Sequence, residues 1–167
     1  MLKRMAGLAA AGLLMVTLAA CGGPMEQLET LEAPSSGITQ SSVAADGFDG
    51  NLDGLCKYME ANQAVTGERV EMSYKEIGAV GGYRYLFKFD GGTVQAEFYE
   101  FDLENQDEKA KACLGSVQEK GSFSLLGNEV PATLNGKYLM IYTDTDTDET
   151  NSAHREKVAK LFEAFKD

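Results

Sequence analysis

Between residues 83 and 99 two alternating runs of side chains flank a turn, and this stretch limits what the chain can fold into more than any other. Tyr83, Tyr85, Phe87 and Phe89 alternate with Arg84, Leu86 and Lys88, and Val94, Ala96 and Phe98 alternate with Gln95, Glu97 and Tyr99. A period of two sends successive side chains to opposite faces, so each run reads as a strand with one apolar face. Asp90-Gly91-Gly92 between them supplies residues that tolerate positive φ, as a tight hairpin turn requires. A turn at Gly91-Gly92 sets Phe89 opposite Val94, Phe87 opposite Ala96 and Tyr85 opposite Phe98 on the core side. Lys88, Leu86 and Arg84 then face Gln95, Glu97 and Tyr99 on a solvated side.

Helices and a second hairpin surround this unit. Leu52, Leu55, Cys56 and Met59 recur at helical spacing behind Asn51, a residue suited to an N-cap. The stretch from Glu68 to Val80 reads as a short strand near Val70 to Met72 and a turn of helix near Tyr74 to Ile77. Ala110, Cys113, Leu114 and Val117 mark a second helix over about 105–118, and Val158, Leu161, Phe162 and Phe165 mark a last one. A turn at Asn135-Gly136 joins a strand over about 129–134 to one over 137–143. It places Val130, Ala132, Leu134, Leu139 and Ile141 inward and Pro131, Thr133, Tyr138, Met140 and Tyr142 outward. Pro131 lacks an amide hydrogen, which makes its strand an edge or interrupts it. The expected fold is α+β: a two-layer sandwich, an antiparallel sheet of two hairpins with helices on one face, in the order helix-hairpin-helix-hairpin-helix.

The amino terminus has a different grammar. Lys3 and Arg4 precede an apolar run from Met5 to Ala20, which is short for a permanent membrane span and has the three-part form of an export signal. Leu18-Ala19-Ala20-Cys21 closes the run and resembles the lipobox of bacterial lipoproteins. That resemblance implies cleavage before Cys21, a diacylglycerol thioether on its sulfur and a lipid-anchored, extracytoplasmic location. Two acyl chains on one residue give stable anchoring where a single chain does not. The organisation expected is a signal peptide over 1–20, a flexible tether over 21–50 and one globular domain over 51–167. The tether reading rests on Pro24, Pro34, Ser35-Ser36, Gly37 and Ser41-Ser42, with few large apolar residues between them. Loss of Lys3 and Arg4 with the signal leaves 13 basic against 26 acidic residues, a net charge of −13. Such a surface repels nucleic acid and anionic lipid, so neither is an expected partner beyond the lipid on Cys21 itself.

Candidate sites are few. Tyr99, Tyr138, Met140 and Tyr142 fall on the outward positions of the two hairpins and would form an aromatic patch for a partner, or for a weak homodimer. The alternative is an ordinary half-wet sheet face, where tyrosine is common. Cys56 and Cys113 are the two cysteines left after lipidation, and they are read either as a disulfide clamping two helices or as two small core residues. Asp144, Asp146 and Asp148 alternate as calcium-loop ligands do, but position six is Glu149 where glycine is needed and position twelve is Arg155 where glutamate is needed. They are a weak metal candidate, and an acidic start to the last helix accounts for them equally well. The single His154 leaves a zinc site or a histidine relay little to build on. No nucleophile elbow or phosphate-binding loop is present, and no catalytic residue or cofactor is expected.

Ile77-Gly78-Ala79, Glu97-Phe98-Tyr99-Glu100-Phe101-Asp102, Asn135-Gly136-Lys137-Tyr138 and the closing helix resemble small lipoproteins of unknown function from gut Firmicutes. The resemblance implies fold and location and carries no catalytic residues. The functional expectation is a non-catalytic envelope lipoprotein whose domain binds a protein or glycan partner. A small-ligand or metal-binding lipoprotein is the alternative, and a hydrolase assembled from scattered acids stands behind both.

Overall fold

A computed structural model of the chain describes residues 28–33 and 42–166. The expected signal segment, 1–20, and the expected lipid acceptor, Cys21, lie outside the described residues. In chain order the elements are β1 (Thr30–Leu31), α1 (Leu52–Ala61), β2 (Val70–Glu71), β3 (Gly81–Phe89), β4 (Gly92–Glu100), α2 (Glu108–Lys120), β5 (Ser122–Leu125), β6 (Asn128–Pro131), β7 (Thr133–Asn135), β8 (Tyr138–Asp144) and α3 (Glu149–Ala164). The main sheet runs β1-β3-β4-β8-β7, with β2 on the same side of β3 as β1, and β5 pairs only with β6. Every pairing is antiparallel except that of β1 with β3.

The α+β class with a mostly antiparallel sheet is therefore present, but helices lie on both faces of the sheet. Leu55 and Met59 of α1 and Val158 and Phe162 of α3 pack with Tyr85, Phe87, Phe98 and Met140 in one core. Ala110, Cys113 and Val117 of α2 pack with Tyr99, Leu139 and Ile141 in a second core, which Phe123 of β5 extends. The cause is β8. Its sequence Tyr138-Leu139-Met140-Ile141-Tyr142 is apolar at every position, the pattern of a strand covered on both sides. Four strands, where two are expected, lie between α2 and α3. The chain breaks at Ala132, whose N–H turns to Gly121 O, immediately after Pro131.

Both hairpins turn one position away from the expected pair. Asp90 and Gly91 hold the first turn at φ 39° and 85°, both positive as a two-residue turn of this type needs. Phe87 consequently faces Val94, Tyr85 faces Ala96 and Tyr83 faces Phe98. The second turn is Gly136-Lys137, with Leu134 opposite Leu139. Each change moves the pairing by two residues, so every side chain keeps its face.

Capping follows the local sequence. Asn51, Asp107 and Asp148 accept hydrogen bonds from the backbone N–H three residues ahead, at the starts of α1, α2 and α3. The start of α2 presses on Gly78, where a Cβ would lie 2.3 Å from Ala110 N and φ is +79°. Only glycine meets both demands.

The ordered domain also takes in residues that the sequence assigns to the tether. Thr30 and Leu31 pair with Lys88 and Phe89, and Lys88 N–H donates to Glu29 O at 2.8 Å. Leu31, Ala33, Ala45 and Phe48 pack against the first core. Asn62, itself buried, bonds both the N–H and the C=O of Val43. Residues 28–33 and 42–50 are thus ordered against the domain that the sequence places at 51–167. An edge strand offers unpaired backbone groups, so a segment poor in apolar side chains can be held by main-chain bonds instead.

Candidate functional site

The four residues expected to form an aromatic patch do not share a surface. Tyr138 and Met140 are buried beneath α1 and α3, and Tyr142 lies half-buried on that same face. Tyr99 is buried on the opposite face, where its hydroxyl donates to Glu97 Oε2 at 2.7 Å. The assumption that one sheet face is open fails for the reason given for β8. Cys56 and Cys113 are separate thiols, one in each core, with the sheet between them. A disulfide across a sheet is excluded by reach, since bridged Cα atoms lie within about 7 Å. Burial pushes both thiols up to about 11, so neither is poised as a nucleophile.

Asp144, Asp146 and Asp148 are occupied by their own loop. Asp144 accepts from Asp146 N–H and from the buried Asn151 amide, Asp146 accepts from Thr147 and Asp148 N–H, and Asp148 caps α3. Among the described residues no group of three or more His, Cys, Asp or Glu is placed to hold a metal ion.

Two further polar clusters are structural in character. Glu97, buried on β4, accepts from Gln95 Nε2 at 2.8 Å as well as from Tyr99. On the other face, Tyr85 donates to Glu60 Oε1 at 2.5 Å, and Arg69 pairs with Asp53 while its guanidinium lies 4.7 Å from the ring centre of Tyr83. The Lys57 and Arg69 cations hold the Asp53 carboxyl below its usual range. These groups pair mainly with one another, although Arg69 Nη1 is buried without a hydrogen-bond partner among the described residues.

A different place combines a cavity with groups that are not consumed. It opens between α3, the β1 edge and the turn that follows α1, and has a volume of about 150 Å³. Phe89 and His154 line its inner part and Leu31 and Ala153 its sides, with Lys157, Thr150, Gln63 and Glu32 completing the lining. Three elements build it. The β1 pairing brings Leu31 beside Phe89. Gln63 leaves α1 at φ +52°, a left-handed turn that aims the carbonyls of residues 63 and 64 at α3. Thr150, His154 and Lys157 stand at i, i+4 and i+7, one face of α3.

The protonation state of His154 follows from its neighbours. The ring is buried against Phe89, and Nε2 lies 3.2 Å from Ala64 O. A carbonyl only accepts, so Nε2 carries the proton and Nδ1 keeps a lone pair. Burial, and then the Lys157 charge, lower the imidazole to about 4, so it is neutral at pH 7. Lys157 Nζ donates to Gln63 O at 3.3 Å, and burial lowers its pKa too. No ion pair to Lys157 forms among the described residues. The arrangement can bind a ligand; the cavity lining brings no thiol and no paired acids to act on it.

Sequence reasoning passed over Lys157 and gave His154 no role. The helical spacing of Thr150, His154 and Lys157 was the signal that could have found them. Leu31 was hidden by its place in a segment that reads as a linker.

Compared with known proteins, the chain matches no family model, no curated protein and no solved structure. Among the described residues no helix is long and apolar enough to cross a membrane.

Proposed function

We propose that the protein is a lipid-anchored, extracytoplasmic and non-catalytic binding domain that takes a small molecule into the cavity between α3 and β1. The observation that carries the binding reading is Lys157, a half-buried cation that has no acidic partner among the described residues and stands beside an apolar cavity. The anchoring reading is supported by Lys3-Arg4, the apolar run and Leu18-Ala19-Ala20-Cys21. The order of Leu28 to Ala33 on the sheet edge sharpens it. Six residues lie between Cys21 and Leu28, and the seven steps from one to the other reach about 25 Å when fully extended. The domain would then stand close to the bilayer, with the β1 edge and its cavity toward the anchor. The raised thiols and the neutral, carbonyl-bound His154 support a non-catalytic role.

Two measurements test this. Metabolic labelling with palmitate should mark the native protein and fail for Cys21→Ser; unlabelled native protein removes the anchor. Ligand-dependent thermal stabilisation tests binding, since a molecule that binds only the folded state raises its stability.

A second reading, docking to an envelope protein or glycan, is favoured by one observation. Leu126 tips the β5–β6 hairpin at φ +52° with 94% of its surface exposed. Asn or Gly would suit that turn better, so the leucine is carried at a cost. Leu126→Asn should keep the fold and lose crosslinks to any partner in intact cells; unchanged crosslinks remove this reading.

A further inference from the structure

We infer that the cavity beside α3 takes a compact apolar molecule bearing a single carboxylate, with its ring or branched alkyl end against Phe89 and His154 and its carboxylate on Lys157. The inference rests on the small-molecule reading above and names the ligand class. Size is the first argument. About 150 Å³ is the volume of an apolar cavity that accepts a benzene ring, so the buried part of the ligand has roughly six or seven heavy atoms. The walls are the second: the side chains of Leu31, Phe89 and Ala153 hold only carbon, and that of His154 is an aromatic ring stacked on Phe89.

Charge is the third argument. The Lys157 ammonium has three protons to donate and a single carbonyl, Gln63 O, to receive one. A cation drawn part-way out of water gains most from an anionic acceptor, because a charge-assisted bond is about twice as strong as a neutral one. The rim also sets the limit of that charge. Glu32 stands at the opening, the chain carries a formal net charge of −11, and no arginine lines the cavity. A phosphate, with its second charge and its preference for a guanidinium fork, is therefore disfavoured against a carboxylate.

His154 is the only histidine in the sequence, so its ring resonances report on this cavity alone. Full-length protein purified in detergent is titrated with phenylacetate, 4-methylpentanoate, benzyl alcohol and phenyl phosphate, following the imidazole NMR signals and the unfolding midpoint. Phenylacetate and 4-methylpentanoate should shift the ring signals and bind more tightly than benzyl alcohol or phenyl phosphate. Lys157→Met should weaken phenylacetate about tenfold and leave benzyl alcohol unchanged. Ala153→Phe, on an exposed helix position lining the cavity, should abolish both while the fold persists by circular dichroism. Equal affinity for benzyl alcohol and phenylacetate, tighter binding of phenyl phosphate, or no effect of Lys157→Met overturns the carboxylate assignment and leaves the small-molecule reading standing. If no probe moves the His154 signals, the small-molecule reading falls with it.

Discussion

The imidazole of His154 lies nearly flat on the ring of Phe89, with ring centres 4.1 Å apart and planes 24° apart, and its Nε2 bonds the carbonyl of Ala64. One side chain of α3 thus joins the end of β3 to the turn after α1. The ring is held neutral because burial disfavours the imidazolium and the nearby Lys157 repels it, which together outweigh the opposing pull of the Ala64 carbonyl and, last of the causes, of Asp144. The fold here is tied to a protonation state.

Stability should therefore fall with acid in a defined window. Unfolded histidine titrates near 6.5 and the folded ring near 4, so between these values the unfolded chain binds a proton that the folded chain does not. The contribution is complete above about pH 6.5, is lost as pH falls toward 4, and changes no further below that. Its size is on the order of 3 kcal/mol. Urea denaturation at pH 7 and pH 4.5 measures it, with His154→Phe as the control. The substitution keeps an aromatic face on Phe89 and removes the titrating group. A wild-type loss no greater than that of the variant contradicts the assignment.

The two thiols give a second expectation. Because Cys56 and Cys113 lie in cores on opposite faces and both are shifted up to about 11 by burial, native protein carrying Cys21→Ser should react slowly with a thiol reagent at pH 8. After unfolding in denaturant without reductant it should titrate two thiols per chain. Zero thiols after unfolding would mean that the helices are bridged, and the placement of α2 would be wrong.

How far the sequence could be read depended on which interactions decide each element. Asn51 as a cap, the Tyr83–Tyr99 hairpin and the face assignments within it were legible, because a cap is local and a period of two survives a two-residue slip. The layer count was not. Alternation tells which side chains go together, but whether the second face is covered depends on where α2 docks, a contact between distant parts of the chain. The apolar continuity of Tyr138 to Tyr142 was the available clue, and it was outweighed by the expectation of a half-wet face. The cavity beside α3 was hidden for a related reason. Leu31, Gln63, Phe89 and Lys157 meet only through tertiary pairing, and Leu31 sits in a segment whose composition reads as a linker.

Tyr138 separates the two accounts of the sheet by direct measurement. As part of an open patch, Tyr138→Ser would alter association and leave stability nearly untouched, since exposed substitutions change little. In the structure the ring is 1% exposed and meets Phe165 edge-on with centres 5.6 Å apart, while Phe165 also packs on Tyr58 of α1. Removing it opens a cavity where β8, α1 and the end of α3 converge, and large-to-small aromatic changes of that kind cost about 3–5 kcal/mol. Tyr138→Ser should therefore lower the denaturation midpoint steeply, whereas Leu126→Asn, at an exposed tip with positive φ, should leave it unchanged or raise it slightly. A Tyr138→Ser variant as stable as the parent would show that α1 and α3 do not cover that face. The first core would then have to be rebuilt from the other side of the sheet.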